Sequence, residues 1–340
     1  MPRRPLALAA PAAALLLAGC GSGSGDDPDA EVTVGTAVYA FEWLTEELGG
    51  DRVAVTNVTP PGADAHSLEL APAQVVDLEQ SDLVVHLPEY QSAMDDAVAQ
   101  LGGTSVLDAS TPTRPLAPEE LLAEGAGADE DHEHDDEDSA SDDHEHDDDT
   151  HEDAAPETGG EDAHAGHDHG ALDPHVWLDP ERMIALAEEI TASLSEIDPD
   201  GAETYAANLE TVVTDLEDLG GRIGSELAGC EVSTVVVGHE AYGYLLAPHG
   251  FEETGLAGLD GGTEVSPARI AELTALVEDT GVSTLYRDAN APDDAVRAVA
   301  EQTSTEVAVL DPLEIAPAEG DYRDAMQANI DALATGQRCG

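Results

Sequence analysis

Eight of the thirteen histidines lie in one acidic stretch, 129–170, which also carries twenty Asp or Glu and no Lys or Arg. Many are arranged as His-x-His pairs, and imidazoles held close together on one segment suit Zn²⁺, Cu²⁺ or Ni²⁺. A stretch this polar cannot bury a core, so we expect a disordered, solvated loop over 125–170. The insert is interpreted as a set of weak metal sites, with an acidic solubilising linker as the alternative. The paired histidines are His132, His134, His144, His146, His167 and His169.

Five histidines lie outside the insert, and three of them stand in predicted loops beside apolar strands or helices. His66 follows a strand, His175 precedes a helix that begins near Pro180, and His239 follows the apolar run TVVV. Ligands of open α/β sheets bind outside the carboxyl ends of the strands. If the chain forms two such lobes, three imidazoles from the two can meet in the cleft between them. They can bind Zn²⁺ there with one coordination position left over. A surface or capping role for each histidine is the alternative.

Strands and helices alternate along both halves of the chain, which predicts an α/β protein with parallel sheets. We expect two α/β lobes, over 31–197 and 229–340, joined by one long linking helix over 198–228. Asp198 followed by Pro199 is typical of an N-cap and the first helical position. The metal site is expected in the cleft between the lobes.

The first residues are typical of an export signal. Residues 1–19 combine two arginines with an apolar stretch that is too short to span a bilayer, and the segment LAGC resembles a bacterial lipobox. We therefore expect a lipoprotein signal peptide over 1–19, a lipid on Cys20 and a flexible tether over 20–30. An ordinary signal peptide with a chance cysteine is the alternative. The mature protein is expected on the extracytoplasmic face of the cell membrane, held by this lipid.

The formal net charge is −63, and all eleven basic residues are arginine. Outside the insert, 54 acids still face these eleven arginines, so the acidity is global. Such a surface excludes nucleic acid as a partner and disfavours electrostatic docking to anionic lipid.

Two cysteines remain beyond the lipobox, Cys230 and Cys339. In an oxidising compartment they are expected to pair, which ties the C-terminal tail to the start of the second lobe. Two free thiols are the alternative. Their spacing does not match a zinc finger.

Four segments, in this order, carry a resemblance to a known family: PGADAHSLEL, DPHVWLDP, GHEAYGYL and VLDPL. The chain resembles the zinc- and manganese-specific metal receptors of bacterial ABC importers, lipoproteins typified by ZnuA and TroA. The position of the insert just before DPHVWLDP is also similar, and the likeness covers nearly the whole mature chain. The resemblance implies two α/β lobes, a rigid linking helix and one metal in the cleft.

The same resemblance implies His66, His175 and His239 as metal ligands. Asp311, in VLDPL, matches the place where the family often supplies a carboxylate, with water as the alternative fourth ligand. Manganese-selective relatives tend to have Glu in place of the third histidine. A set of three imidazoles therefore favours zinc over the harder Mn²⁺.

We accordingly expect a monomeric extracytoplasmic receptor that captures Zn²⁺ as transported cargo and delivers it to an ABC permease and its ATPase, with no catalysis. A receptor for manganese or another divalent metal is one alternative, and an adhesin-like surface lipoprotein with a structural metal is another. A zinc hydrolase is disfavoured, because Gly243 stands four residues after His239 where an H-E-x-x-H motif needs histidine.

Overall fold

A computed structural model describes residues 30–127, 172–261 and 265–340. The predicted signal peptide, the predicted lipidation site Cys20, most of the predicted tether and the predicted weak histidine sites lie outside the described residues. Within the described part, every helix is too short or too polar to cross a membrane.

Four parallel strands form the sheet of the first lobe, in the order β2-β1-β3-β4. The valines of β1 and the apolar run of β3 are buried because helices cover both faces of the sheet. The strands are β1 (Val32–Thr36), β2 (Val53–Asn57), β3 (Leu83–His86) and β4 (Ser105–Asp108). The helices are α1 (Tyr39–Gly49), α2 (Pro72–Gln80), α3 (Ser92–Val98), α4 (Ser110–Thr113), α5 (Pro118–Gly127) and, after the insert, α6 (Pro180–Ile197).

The sheet of the second lobe repeats this order as β6-β5-β7-β8, again parallel. In both sheets the first strand along the chain lies inside, so the connections leave in opposite directions and a crevice opens at the carboxyl ends of the strands. The strands are β5 (Thr234–His239), β6 (Glu252–Ala257), β7 (Thr284–Asp288) and β8 (Glu306–Leu310). The helices are α7 (Ala202–Glu226), which links the lobes, α8 (Gly243–Leu246), α9 (Pro267–Thr280), α10 (Asp294–Thr303) and α11 (Tyr322–Gly336).

The linking helix is shorter than the predicted range 198–228, and the prediction is wrong at its start. A turn follows α6, and α7 begins only at Ala202. Asp198 does not cap it, because its carboxylate accepts hydrogen bonds from the Arg52 guanidinium and the Tyr205 hydroxyl. At 1.5 Å per residue, the 25 residues of α7 make a rod about 37 Å long.

One apolar core runs through both lobes. The Trp43 ring of the first lobe stacks on Tyr322 of the second, with 4.5 Å between ring centroids. Trp177 donates its indole N–H to the Pro312 carbonyl at 2.7 Å and accepts the Tyr322 hydroxyl on its own carbonyl. The lobes are therefore packed directly on each other, and the loop after β8 is attached to the first lobe.

A disulfide joins Cys230 and Cys339, as the sequence predicts. Cys230 lies just beyond α7, and Cys339 lies in the tail after α11. The bridge closes a loop of 109 residues that contains nearly the whole second lobe.

Candidate metal centre

His66 lies on the loop between β2 and α2, and neighbouring polar side chains order that loop. Asp64 accepts a hydrogen bond from the backbone N–H of His66 at 3.0 Å and another from the Ser67 hydroxyl at 2.7 Å. The buried Gln91 amide donates to the Ala65 carbonyl at 2.8 Å. These contacts fix the backbone and leave the His66 imidazole available for the centre of the cleft.

His175 lies where the chain returns from the insert, immediately before a short 3₁₀ turn over Val176–Leu178. The Oδ1 atom of Asp173 accepts hydrogen bonds from the backbone N–H of His175, at 2.9 Å, and from the Nδ1–H of the His175 ring, at 2.8 Å. Both side chains are buried. A carboxylate at Nδ1 sets the tautomer and the ring orientation, so Nε2 is the atom presented to the cleft.

His239 is the last residue of β5, and its partner Asp288 is the last residue of the adjacent strand β7. His239 Nδ1 lies 3.0 Å from Asp288 Oδ2, and the Tyr242 hydroxyl donates to Asp288 Oδ1 at 2.8 Å. A Cβ at Gly238 would lie 2.5 Å from the same carboxylate, so glycine is required for this approach. Asp288 thus orients His239 as Asp173 orients His175.

Glu314 brings a carboxylate to the point where the three imidazoles converge. Its Oε1 lies 2.9 Å from Nε2 of His66, 3.3 Å from Nε2 of His175 and 3.2 Å from Nε2 of His239. One ligand atom from each of the four residues lies within 4.8 Å of the other three. Ligands bound tetrahedrally at about 2.0 Å from zinc stand roughly 3.3 Å apart, which matches the three carboxylate–imidazole distances.

The structure does not place Asp311 in this group. Its Oδ1 accepts the backbone N–H of Leu313 at 2.9 Å, so Asp311 shapes the turn after β8. Leu313 has a φ of 57°, and the chain turns back there to direct Glu314 at the histidines. The carboxylate in the cleft is therefore that of Glu314, three residues after the predicted one. The second acid in the segment LDPLE was the available signal, but the turn that selects it was not evident from the sequence.

Protonation of the metal-free cluster follows from its carboxylates. Burial opposes a charge on His175, but hydrogen bonds with Asp173 and Glu314 outweigh it and raise its pKa to about 9. For His239, burial is again outweighed, by Asp288 and Glu314, and the pKa rises to about 10. Burial would raise the pKa of Glu314, but the three histidines hold it well below its usual value. The cluster therefore holds protons where a cation would bind.

The described residues contain no other group of three or more such ligands. His86, at the end of β3, is buried, and its Nε2 lies 2.8 Å from Asp95 Oδ1. Burial, partly opposed by Asp95, lowers the pKa of His86. This histidine therefore packs at the end of its strand and does not reach the cleft.

These features define a two-lobed α/β binding protein with a preformed metal centre between its lobes. The chain belongs to the family described as zinc-uptake complex component A, periplasmic (ZnuA), which matches residues 34–336. The predicted class of protein and its fold are thus confirmed.

Individual zinc-binding proteins are similar to this chain in sequence, and a solved structure shares its fold. The zinc-binding protein AdcA of Streptococcus pyogenes serotype M3 is 27% identical over 308 residues, 89% of this chain and 55% of that protein. The high-affinity zinc uptake system protein ZnuA of Bacillus subtilis is 27% identical over 305 residues, 88% of this chain and 86% of that protein. The structure of the periplasmic zinc-binding protein TroA from Treponema pallidum superposes with a TM-score of 0.70 at 16% identity, over 90% of this chain and 99% of that one. The chain spans about half the length of the AdcA relatives that it matches.

Proposed function

We propose that this protein captures Zn²⁺ outside the cytoplasm and delivers it to an ABC permease driven by its ATPase. The observation that carries the proposal is the convergence of three imidazoles and one carboxylate within 4.8 Å, at the boundary of two lobes. The three rings form a nearly equilateral triangle, with centroids 5.4, 5.6 and 5.9 Å apart. The ligands in this proposal are His66, His175, His239 and Glu314.

The ligand set supports zinc as the cargo. Three imidazoles and one carboxylate match the borderline character of Zn²⁺, whereas Mn²⁺ prefers oxygen ligands. Cu²⁺ binds more tightly than Zn²⁺ at most nitrogen sites, so in the cell zinc is favoured by metal availability and not by affinity alone. The metal here is transported cargo, and no bond in another substrate is broken.

The closed ligand set also favours capture over hydrolysis. Catalytic zinc sites keep three protein ligands and an open position for water. The Glu314 carboxylate lies within 3.3 Å of all three imidazole nitrogens, which supports it as the fourth ligand in this proposal. A site with four protein ligands holds the ion without activating a water molecule.

The remaining parts of the proposal concern residues outside the described structure. Cys20 carries a lipid that holds a monomeric receptor on the outer face of the cell membrane, and the paired histidines of the insert bind zinc weakly. The lipobox and the His-x-His spacing support these roles.

Competition with a zinc chelator tests the proposal on the mature protein with 129–170 deleted. We expect one tight zinc per chain, and substitution of any one of the four ligands should weaken its binding at least 100-fold. The variants are His66→Ala, His175→Ala, His239→Ala and Glu314→Ala.

Asp311→Asn is the matched control, because its carboxylate lies in the same loop and outside the cluster. It should leave the zinc affinity within about threefold of the parent protein. If zinc binding is indifferent to the three histidines, the cleft is not the receptor site. If Glu314→Ala leaves the zinc affinity unchanged, Glu314 is not the fourth ligand.

A further inference from the structure

Two chain segments, one before α5 and one after the insert, meet at one junction. The Asp173 N–H donates to the Leu116 carbonyl at 2.8 Å. Tyr244, on α8 of the second lobe, closes the same junction with its hydroxyl. That oxygen accepts the Leu116 N–H at 2.8 Å and donates to the Asp173 carbonyl at 2.9 Å. One buried phenol from the opposite lobe therefore holds Leu116 and Asp173 together.

The junction is continuous with a predicted metal ligand. Asp173 is only 2% exposed, and its carboxylate accepts both the backbone N–H and the ring Nδ1–H of His175. The backbone that Tyr244 holds and the carboxylate that holds His175 thus belong to the same residue. A shift of Asp173 would move the acceptor of the His175 ring proton.

The second lobe packs closely against this junction. A Cβ at Gly243 would lie 2.8 Å from Asp173 Oδ2 and 3.1 Å from the Leu121 side chain. The Tyr244 ring is held on its other side by Arg182, whose guanidinium carbon lies 4.9 Å from the ring centroid. Removing the hydroxyl would leave this ring packing in place.

We propose that Tyr244 is a positioning residue for the metal centre: by clamping Asp173 to Leu116 across the lobe boundary, its hydroxyl fixes the carboxylate that holds His175 in the metal-binding tautomer. The inference rests on the proposed zinc capture and assigns to the second lobe a role in orienting a ligand of the first. Outer partners of metal-bound histidines typically change metal affinity 10- to 100-fold.

The first test is Tyr244→Phe in the full mature chain, with zinc affinity measured by competition with a chelator strong enough to empty the weak sites. We expect a loss of at least tenfold. Tyr286→Phe is the matched control, because Tyr286 is equally buried in the second lobe and its hydroxyl bonds only structural partners such as Gln337. Thermal unfolding of both metal-free variants verifies that each is folded at the assay temperature.

Two further measurements separate positioning from general stability. In an Asp173→Asn background, Tyr244→Phe should change zinc affinity by less than twofold, because the two residues act through one path. In the metal-free protein, at a pH above the His175 pKa of about 9 where the ring is neutral, the ¹⁵N shifts of the His175 ring should show loss of the single Nδ1–H tautomer in Tyr244→Phe and not in Tyr286→Phe. Gly243→Ala, which displaces Asp173 from the other side, should produce the same spectral change.

If Tyr244→Phe binds zinc as Tyr286→Phe does, or if its effect adds fully to that of Asp173→Asn, Tyr244 has no positioning role. If the parent protein itself has no tight zinc that depends on His175, the proposed function fails first. The parent protein is therefore measured in the same experiment.

Discussion

The Nδ1 atoms of His175 and His239 are committed to Asp173 and Asp288, so only their Nε2 atoms face the cleft. There they stand within 3.3 Å of the Glu314 carboxylate. Two lone pairs at this distance repel each other unless a proton or a cation lies between them. The metal-free centre therefore holds protons at the positions where zinc would bind, and the two compete.

Zinc binding should release protons and become tighter as the pH rises. With pKa values of about 9 for His175 and about 10 for His239, both imidazoles are protonated at pH 7.5 in the absence of metal. We expect about two protons to be released per zinc at pH 7.5, and the affinity to increase until the pH passes about 10. Calorimetry in buffers of different ionisation enthalpy measures the release directly.

The same pKa shifts determine how the stability of the metal-free protein depends on pH. A histidine whose pKa is raised above its unfolded value of about 6.5 stabilises the fold below that pH. This stabilisation is lost as the pH rises through 9 and 10.

His86→Gln is the control for the pH dependence of zinc binding, since the His86 ring lies outside the cleft. A zinc affinity that is flat between pH 7 and pH 9 would contradict the competition.

At the scale of elements, the loop between β8 and α11 decides which carboxylate enters the cleft. Asn329 on α11 is buried and holds the loop at its base: its amide donates to the Asp311 carbonyl at 2.8 Å and accepts the Asp311 N–H at 2.7 Å. On the far side, the Glu314 carbonyl accepts the Tyr39 N–H of the first lobe at 3.3 Å. The loop is thus supported by both lobes.

Asn329→Ala should destabilise the metal-free protein by about 2 kcal/mol, because it leaves a buried backbone donor and acceptor without partners. Urea unfolding measures the change, and the zinc affinity should fall with it as Glu314 is held less firmly. Gln327→Ala is the matched control on the same helix, since its amide bonds Asp331 at the surface. That variant should stay within about 0.5 kcal/mol of the parent. Equal effects of the two substitutions would contradict a structural role for Asn329 in the loop.

The elements themselves were largely predictable, whereas several contacts between them were not. Both lobes contain the parallel sheets that the alternation of strands and helices predicts. The prediction that Asp198 caps the linking helix was wrong, because the Asp198 carboxylate bonds Arg52 and Tyr205 instead of the backbone at the start of the helix. Asp288 carries no local signal, since it lies 49 residues from the histidine that it orients. Glu314 depends on a backbone turn that the sequence does not reveal.

At the scale of the whole molecule, a shared core and a large negative charge act on the same centre. The core that runs through both lobes holds the ligands near their binding geometry before any ion arrives. A net charge of −63 raises the local concentration of cations and accelerates their encounter with the cleft, without selecting one metal. Selection then belongs to the ligand set, and the charge affects mainly the association rate.

The association rate of Zn²⁺ should therefore fall steeply as ionic strength rises, while the dissociation rate changes little. Screening shortens the range of the field from about 30 Å at 0.01 M salt to about 8 Å at 0.15 M. Trp177, whose ring centroid lies 5.3 Å from that of His175, offers a fluorescence signal for stopped-flow measurement. Deleting 129–170 removes twenty acids and no basic residue, so the slope of rate against salt should become shallower. An association rate independent of salt in both proteins would show that the acidity does not steer zinc to the cleft. Equal, non-zero slopes would assign the steering to the two lobes and remove the insert from it.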